Sequence, residues 1–183
     1  MIVKLIIPFI CFLTLFGSAM QASEPIPYNL IARNLMKKTI ERLEKKHHLH
    51  HGGVSGGMMG CVKWMGLQFH LSRTINKDEA RAMVVDCMQE FLVDINQDES
   101  LRKYLQVYPF ETKHIEITIY IRTSKEGTLY YPDLSVITAY RDKILFYTND
   151  PEIEFKYKTR EVESFEGAVK IVQSQNPSQT LIE

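Results

Sequence analysis

Between Asn76 and Ile95 the chain reads NKDEARAMVVDCMQEFLVDI, and no other stretch narrows the possible folds as much. Ala80, Met83, Val84, Cys87, Met88, Phe91, Leu92 and Ile95 recur at three- and four-residue intervals, which on a helix makes one wide apolar stripe. Asn76 is placed to cap the first turn, and Glu79 stands three residues on, the spacing of a capping box. Ala82, Val85 and Val93 fall outside the stripe, so a second neighbour is expected over part of the other side. The segment reads as the central helix of a compact domain, because a stripe this wide must be buried against other elements.

The clearest strand comes next. Ile115, Ile117, Ile119 and Ile121 alternate with Glu116, Thr118, Tyr120 and Arg122, and the Ile face is expected to pack on the central helix. Residues 134–140 and 143–148 flank Arg141-Asp142 as a hairpin, and Asn149-Asp150-Pro151 makes a further turn. Ile153, Phe155 and Tyr157 alternate with charged residues, as in an edge strand that resists edge-to-edge pairing. Asp98 is placed to cap a shorter helix carrying Leu101, Tyr104, Leu105 and Tyr108, with Pro109 as its stop. Ser164 caps a last helix with Phe165, Ala168, Val169 and Val172 at core spacing.

Upstream, residues 28–46 are predicted to be helical, with Pro27 in the first turn. The apolar residues there scatter around the helix, so it is read as a loosely docked arm. HHLHHGGVSGGMMG, residues 47–60, reads as a flexible glycine-rich loop. Met58 to Met65 has helical spacing with Gly66 as a stop, and this reading is preferred over a strand from Val62 bulged at Gly66. Leu67, Phe69 and Leu71 then form a first strand. Together these elements predict an α+β domain: an antiparallel sheet of about five strands with helices packed on one face. The divisions are an arm and His/Gly loop over 23–60, the compact domain over 61–176 and a frayed tail over 177–183.

The first residues differ in kind. Lys4 precedes an apolar run from Leu5 to Phe16 and the small residues Gly17, Ser18 and Ala19, the three-part pattern of a secretory signal. A signal peptide over 1–22, cut after Ala19 or Ala22, predicts an exported protein: periplasmic, envelope-bound or secreted. Left uncut, the same segment would be an N-terminal anchor and the protein's one contact with a membrane. The 22 basic and 22 acidic residues create no global field, so nucleic acid is not an expected partner. Cys61 and Cys87 could be bridged in an oxidising compartment, but Cys87 belongs to the core stripe, and two free thiols are expected.

Four residues offer metal chemistry. His47, His48, His50 and His51 form a cluster in which His47 and His51, on a helix, would share a face at the spacing imidazoles use to hold Zn or Cu. The competing reading is of cationic side chains at a helix C-terminus. Glu79, Asp86, Glu90 and Asp94 make an acidic ridge, read as a solvated helix face in preference to an acid–base or cation site. Neither a G-x-G-x-x-G order nor a G-x-S-x-G elbow occurs, and Cys61 with His70 is no more specific than any Cys with any His. Tyr120, Tyr130, Tyr131, Tyr140, Tyr147 and Tyr157 are many for one sheet, and suggest an aromatic surface on the face away from the helices.

The stretches GGMMGCVKWMGLQFHL, DEARAMVVDCMQEFLVDIN and LRKYLQVYPF resemble uncharacterised exported proteins of chlamydia-like intracellular bacteria, over roughly Gly56 to Val172. That resemblance implies a shared fold and carries no activity and no site residues. The function expected is therefore a small exported binding module acting on a macromolecular partner without catalysis. A metal-binding protein using HHLHH and an unrecognised hydrolase are the alternatives. A deep pocket with converging polar groups would favour the hydrolase, and an open tyrosine-bearing sheet face the binder.

Overall fold

The computed structural model describes residues 27–123 and 127–175; the predicted signal peptide over 1–22 and the tail over 177–183 lie outside the described residues. The elements in order are α1 (Pro27–His47), β1 (His50–Gly57), β2 (Trp64–Leu71), α2 (Lys77–Gln97), α3 (Glu99–Arg102), β3 (Ile115–Ile121), β4 (Val136–Tyr140), β5 (Lys143–Asn149), β6 (Tyr157–Ser164) and α4 (Phe165–Gln175). The α+β expectation holds. One sheet runs β1-β2-β3-β4-β5-β6, and α1, α2 and α4 bury their apolar sides in a single core with one of its faces. Met65, Leu67, Phe69 and Leu71 of β2, the four isoleucines of β3, Ile137 and Ala139 of β4, and Ile144 and Phe146 of β5 supply the sheet's share of that core.

The sheet has six strands, and one neighbouring pair is parallel. β2 and β3 run in the same direction, Leu67 beside Ile117 and Phe69 beside Ile119. A parallel pair requires a long crossover, and α2 provides it while lying against β3 and β4. Alternation of side chains reveals a strand's faces but not its direction, so only the path of the chain shows this parallel step.

The central helix forms as its sequence dictates. The Asn76 side chain accepts from the Glu79 N–H at 2.8 Å, and Val84, Met88 and Phe91 are fully buried with Ile117 and Ile119. Arg81 is buried as well, although it is a cation. Its guanidinium donates twice to Glu163 of β6, at 2.7 and 3.1 Å, pairs with Asp78 and lies 5.8 Å from the centre of the Phe146 ring. This fork ties α2 to the last strand.

Helix α1 is no loose arm. Tyr28, Ala32, Leu35, Met36, Thr39, Ile40 and Leu43 are all buried, and they form a regular stripe once Ala32 and Thr39 are counted with the larger residues. Thr39 is buried because its hydroxyl donates to the Leu35 carbonyl at 3.2 Å and also bonds Asp94. The helix ends at His47, followed by His48 at φ 54°, and the Leu49 N–H returns to the Glu44 carbonyl at 3.2 Å. This is a Schellman ending, locked by the buried Leu49 side chain.

The His/Gly stretch expected as a flexible loop is mostly strand β1, paired antiparallel to β2. The glycines leave room for β2's side chains. A Cβ at Gly57 would lie 2.4 Å from Nε1 of its cross-strand partner Trp64, and one at Gly52 would meet the His70 ring at 3.0 Å. Large side chains lying over cross-strand glycines stabilise a strand that composition argues against. The short helix preferred over Met58–Met65 is absent; the chain turns there, and Val62 bridges to Leu105. The helix after Asp98 stops at Arg102, because the Tyr104 carbonyl and the Gln106 N–H turn to bond Val62 instead. The last strand begins at Tyr157, four residues later than expected, because residues 150–156 close a loop through an Asp150 N–H to Lys156 carbonyl bond of 2.8 Å. The Arg141-Asp142 hairpin forms as expected, both residues having positive φ, as a two-residue turn demands.

Candidate functional site

Among the described residues the helices cover one face of the sheet and leave the other open. Following the registers from strand to strand, His50, His70, Tyr120, Val136, Tyr147 and Arg160 stand side by side in one row across all six strands. At ~4.8 Å per strand the row spans ~24 Å. A second row holds Gly53, Gln68, Thr118, Thr138, Leu145 and Val162, and a third Ser55, Gly66, Glu116, Tyr140, Lys143 and Ser164. Glu116 is the one carboxylate in these three rows.

Aromatic rings dominate the first row. His70 and Tyr120 have centroids 5.5 Å apart, and Tyr157, at the end of the row, lies 4.4 Å from Tyr147. Burial, with the neighbouring Tyr120 and Tyr147, pushes the Tyr157 phenol above its ordinary pKa. Burial and then the charges of Arg122 and His50 push His70 below the usual histidine range. Tyr157 remains 46% exposed and Val162 50%, so apolar surface stays open to solvent here. Val136 and Leu145 are nearly covered although they stand outside the main core, which requires neighbours on this face to lie over them. Of the six tyrosines singled out in the sequence, Tyr120, Tyr140, Tyr147 and Tyr157 belong to this face. Tyr130 and Tyr131 sit in the adjoining turn, where the Tyr131 N–H bonds the Asn149 carbonyl at 3.0 Å.

Among the described residues, two buried polar atoms on the same side of the sheet lack a hydrogen-bond partner: Nδ1 of His70 and Oγ of Ser55. Orphaned groups of this kind are uncommon in a settled interior. Both lie towards the β1 end of the open face.

The structure also contains a pocket of about 340 Å³ where the end of α1, the outer side of α2 and Val172 of α4 meet. His47 Nε2 lies 2.7 Å from Asp86 Oδ2, and Lys46, His48, Arg73, Glu79 and Gln89 complete the polar lining. A histidine oriented by a carboxylate is half of a general-base device. The charges are already matched, however: Lys46 with Asp86 and Glu90 at 2.7 Å each, and Arg73 with Glu79. Among the described residues that line the pocket there is no Ser, Thr or Cys.

The acidic ridge proves to be one side of an interhelical ladder. Arg42 bonds Glu90 and Asp94 at 2.6 Å each, and Lys46 and His47 hold Asp86. Burial alone would raise the Asp86 carboxyl, but the hydrogen bonds from His47 and Lys46 outweigh it and hold the group below the usual carboxylate range. Glu90 follows the same pattern, with Lys46 and Arg42 as its donors. The ridge therefore docks α1, and the solvated face expected for it is partly covered.

The four histidines diverge. His47 closes α1 and faces Asp86, His48 occupies the left-handed turn at the pocket mouth, His50 pairs with His70 on the open face, and His51 is exposed beside Phe69. The helix ends before His51, so the four-residue helical spacing is not realised. Among the described residues no three His, Cys, Asp or Glu side chains are placed to hold a metal ion together. Cys61 and Cys87 are both free, and burial pushes the Cys87 thiol well above its ordinary pKa. Among the described residues no helix is long and apolar enough to cross a membrane.

No protein-family model, no curated protein and no solved structure matches the chain.

Proposed function

We propose that the protein is a small exported binding module of the cell envelope or secretome that engages a macromolecule through the open face of its sheet and acts without catalysis. One observation carries this reading: among the described residues, a face without helices on which rings from β1, β2, β3 and β5 stand in a single row, with Val136 of β4 between Tyr120 and Tyr147. Exposed aromatic surface on a rigid sheet is a common basis for recognition, because such side chains contribute large contact area at small entropic cost. The signal-like N-terminus supports the compartment.

A photocrosslinking residue placed at Tyr140 or Val162 in the cell of origin tests the reading. Adducts are expected from both positions and not from Lys37, which lies on the exposed side of α1. Adduct patterns that are the same from all three sites, or none at all, would refute it. Hydrolysis is a second reading, drawn from the His47–Asp86 pair in its pocket. It requires an esterase or amidase activity that His47→Ala abolishes with the fold intact.

A further inference from the structure

The chemistry of the open face narrows the partner further. Along the first row the aromatic rings are central, Arg160 stands at the β6 end, and Arg122, directly after β3, lies near His70 and the middle of the row. The row itself contains no carboxylate; Glu116 stands two rows away, beside Thr118. The second row brings uncharged hydrogen-bonding groups, Gln68 and Thr138, alongside the rings. A ligand that fits must be long enough for a ~24 Å track and must present flat apolar faces to the tyrosines. It must also carry negative charge at intervals and hydroxyls along its side. These requirements belong to one class of polymer.

Resting on the binding-module reading, we propose that the row His50–His70–Tyr120–Val136–Tyr147–Arg160, with Tyr157 beside it, takes a linear acidic polysaccharide lying across the strands. The carbon-hydrogen faces of its sugar rings rest on Tyr120, Tyr147 and Tyr157. Its carboxylates or sulfates meet the guanidinium groups of Arg122 and Arg160, which hold such oxygens by paired N–H donors. A single-stranded nucleic acid would also stack, but its affinity depends on neutralising a run of phosphates. One arginine at the end of the row, a second near its middle and a formally neutral chain provide little for that.

The test is calorimetric titration of the purified protein with polygalacturonate and with heparin, against dextran, polyglutamate and an oligothymidylate of similar length. Saturable binding of an acidic polysaccharide is expected, weakening with salt, with dextran, polyglutamate and the oligonucleotide each at least about tenfold weaker. Tyr157→Ser and Arg160→Gln, both at exposed positions, should each weaken binding about tenfold, whereas Tyr157→Phe, which keeps the ring, should bind as the wild type does. Absence of binding to both acidic polysaccharides would overturn the proposal, as would equal or tighter binding of any comparison polymer, or affinity unchanged in Tyr157→Ser and Arg160→Gln. Crosslinks from Tyr140 and Val162 without polysaccharide binding would leave the binding module standing and remove only its ligand. Loss of both would remove the two together.

Discussion

Replacing Leu43 by Ala would separate an integral α1 from a docked arm. Leu43 is 0% exposed and stands in the same core as the sheet's isoleucines. Truncating a fully buried leucine loses the transfer free energy of the removed carbons and leaves a cavity, together about 2–5 kcal/mol, with about 3 as a central value. For a chain of this size 1 kcal/mol moves the thermal midpoint by roughly 2–4 °C, so a fall of about 6–12 °C is expected. Urea unfolding should be followed both by far-ultraviolet circular dichroism, which reports the helices, and by emission of Trp64, the chain's single tryptophan, which lies over Gly57 at the β1–β2 pair. An integral helix requires the two signals to move together, with a lower midpoint and an unchanged slope. A cost below about 1 kcal/mol, or helical signal lost before the tryptophan responds, would refute the packing described for α1.

Two other outcomes follow from the charges and thiols. Asp86 and Glu90 are held below the usual carboxylate range in the folded state, so their contribution to stability is present above the unfolded pKa of about 4 and is lost as pH falls through the lower folded values. Thermal midpoints measured from pH 7 down to pH 2 should therefore fall below about pH 4, and Asp86→Asn should flatten that fall; an equally steep fall in the variant would contradict the ladder. In the chain lacking residues 1–22, a thiol reagent should modify Cys61 in the native protein, leave Cys87 untouched, and find both once the chain is denatured. Fewer than two thiols in the unreduced, denatured chain would mean a bridge.

The helix over Lys77–Gln97 and the strand over Ile115–Ile121 were legible because each carries a complete period of its own. Each buries one side against a large neighbour, so composition and spacing agree. Helix α1 was harder to read because two of its core positions are filled by Ala32 and Thr39, which count little by hydrophobicity, and its stripe closes only when they are included. Strand β1 was illegible for a deeper reason. HHGGVSGG has almost no propensity of its own, and it becomes a strand because Trp64, Gln68 and His70 of β2 lie over the spaces its glycines leave. The four histidines likewise looked like one cluster until the chain turned between them at His48.

By itself the sequence determined the α+β class, the central helix, the hairpin at Arg141-Asp142 and the presence of tyrosines on the outward side of the strands. These are local properties, set by period, capping and turn chemistry within a few residues. Only the tertiary structure decided that β2 and β3 run parallel, that the acidic ridge of α2 docks α1, and that His50, His70, Tyr120, Tyr147 and Arg160 stand in one row. Each of these joins residues far apart in the chain. Register between strands is a relation between distant segments, settled by which faces are buried together, and no window of sequence contains both partners.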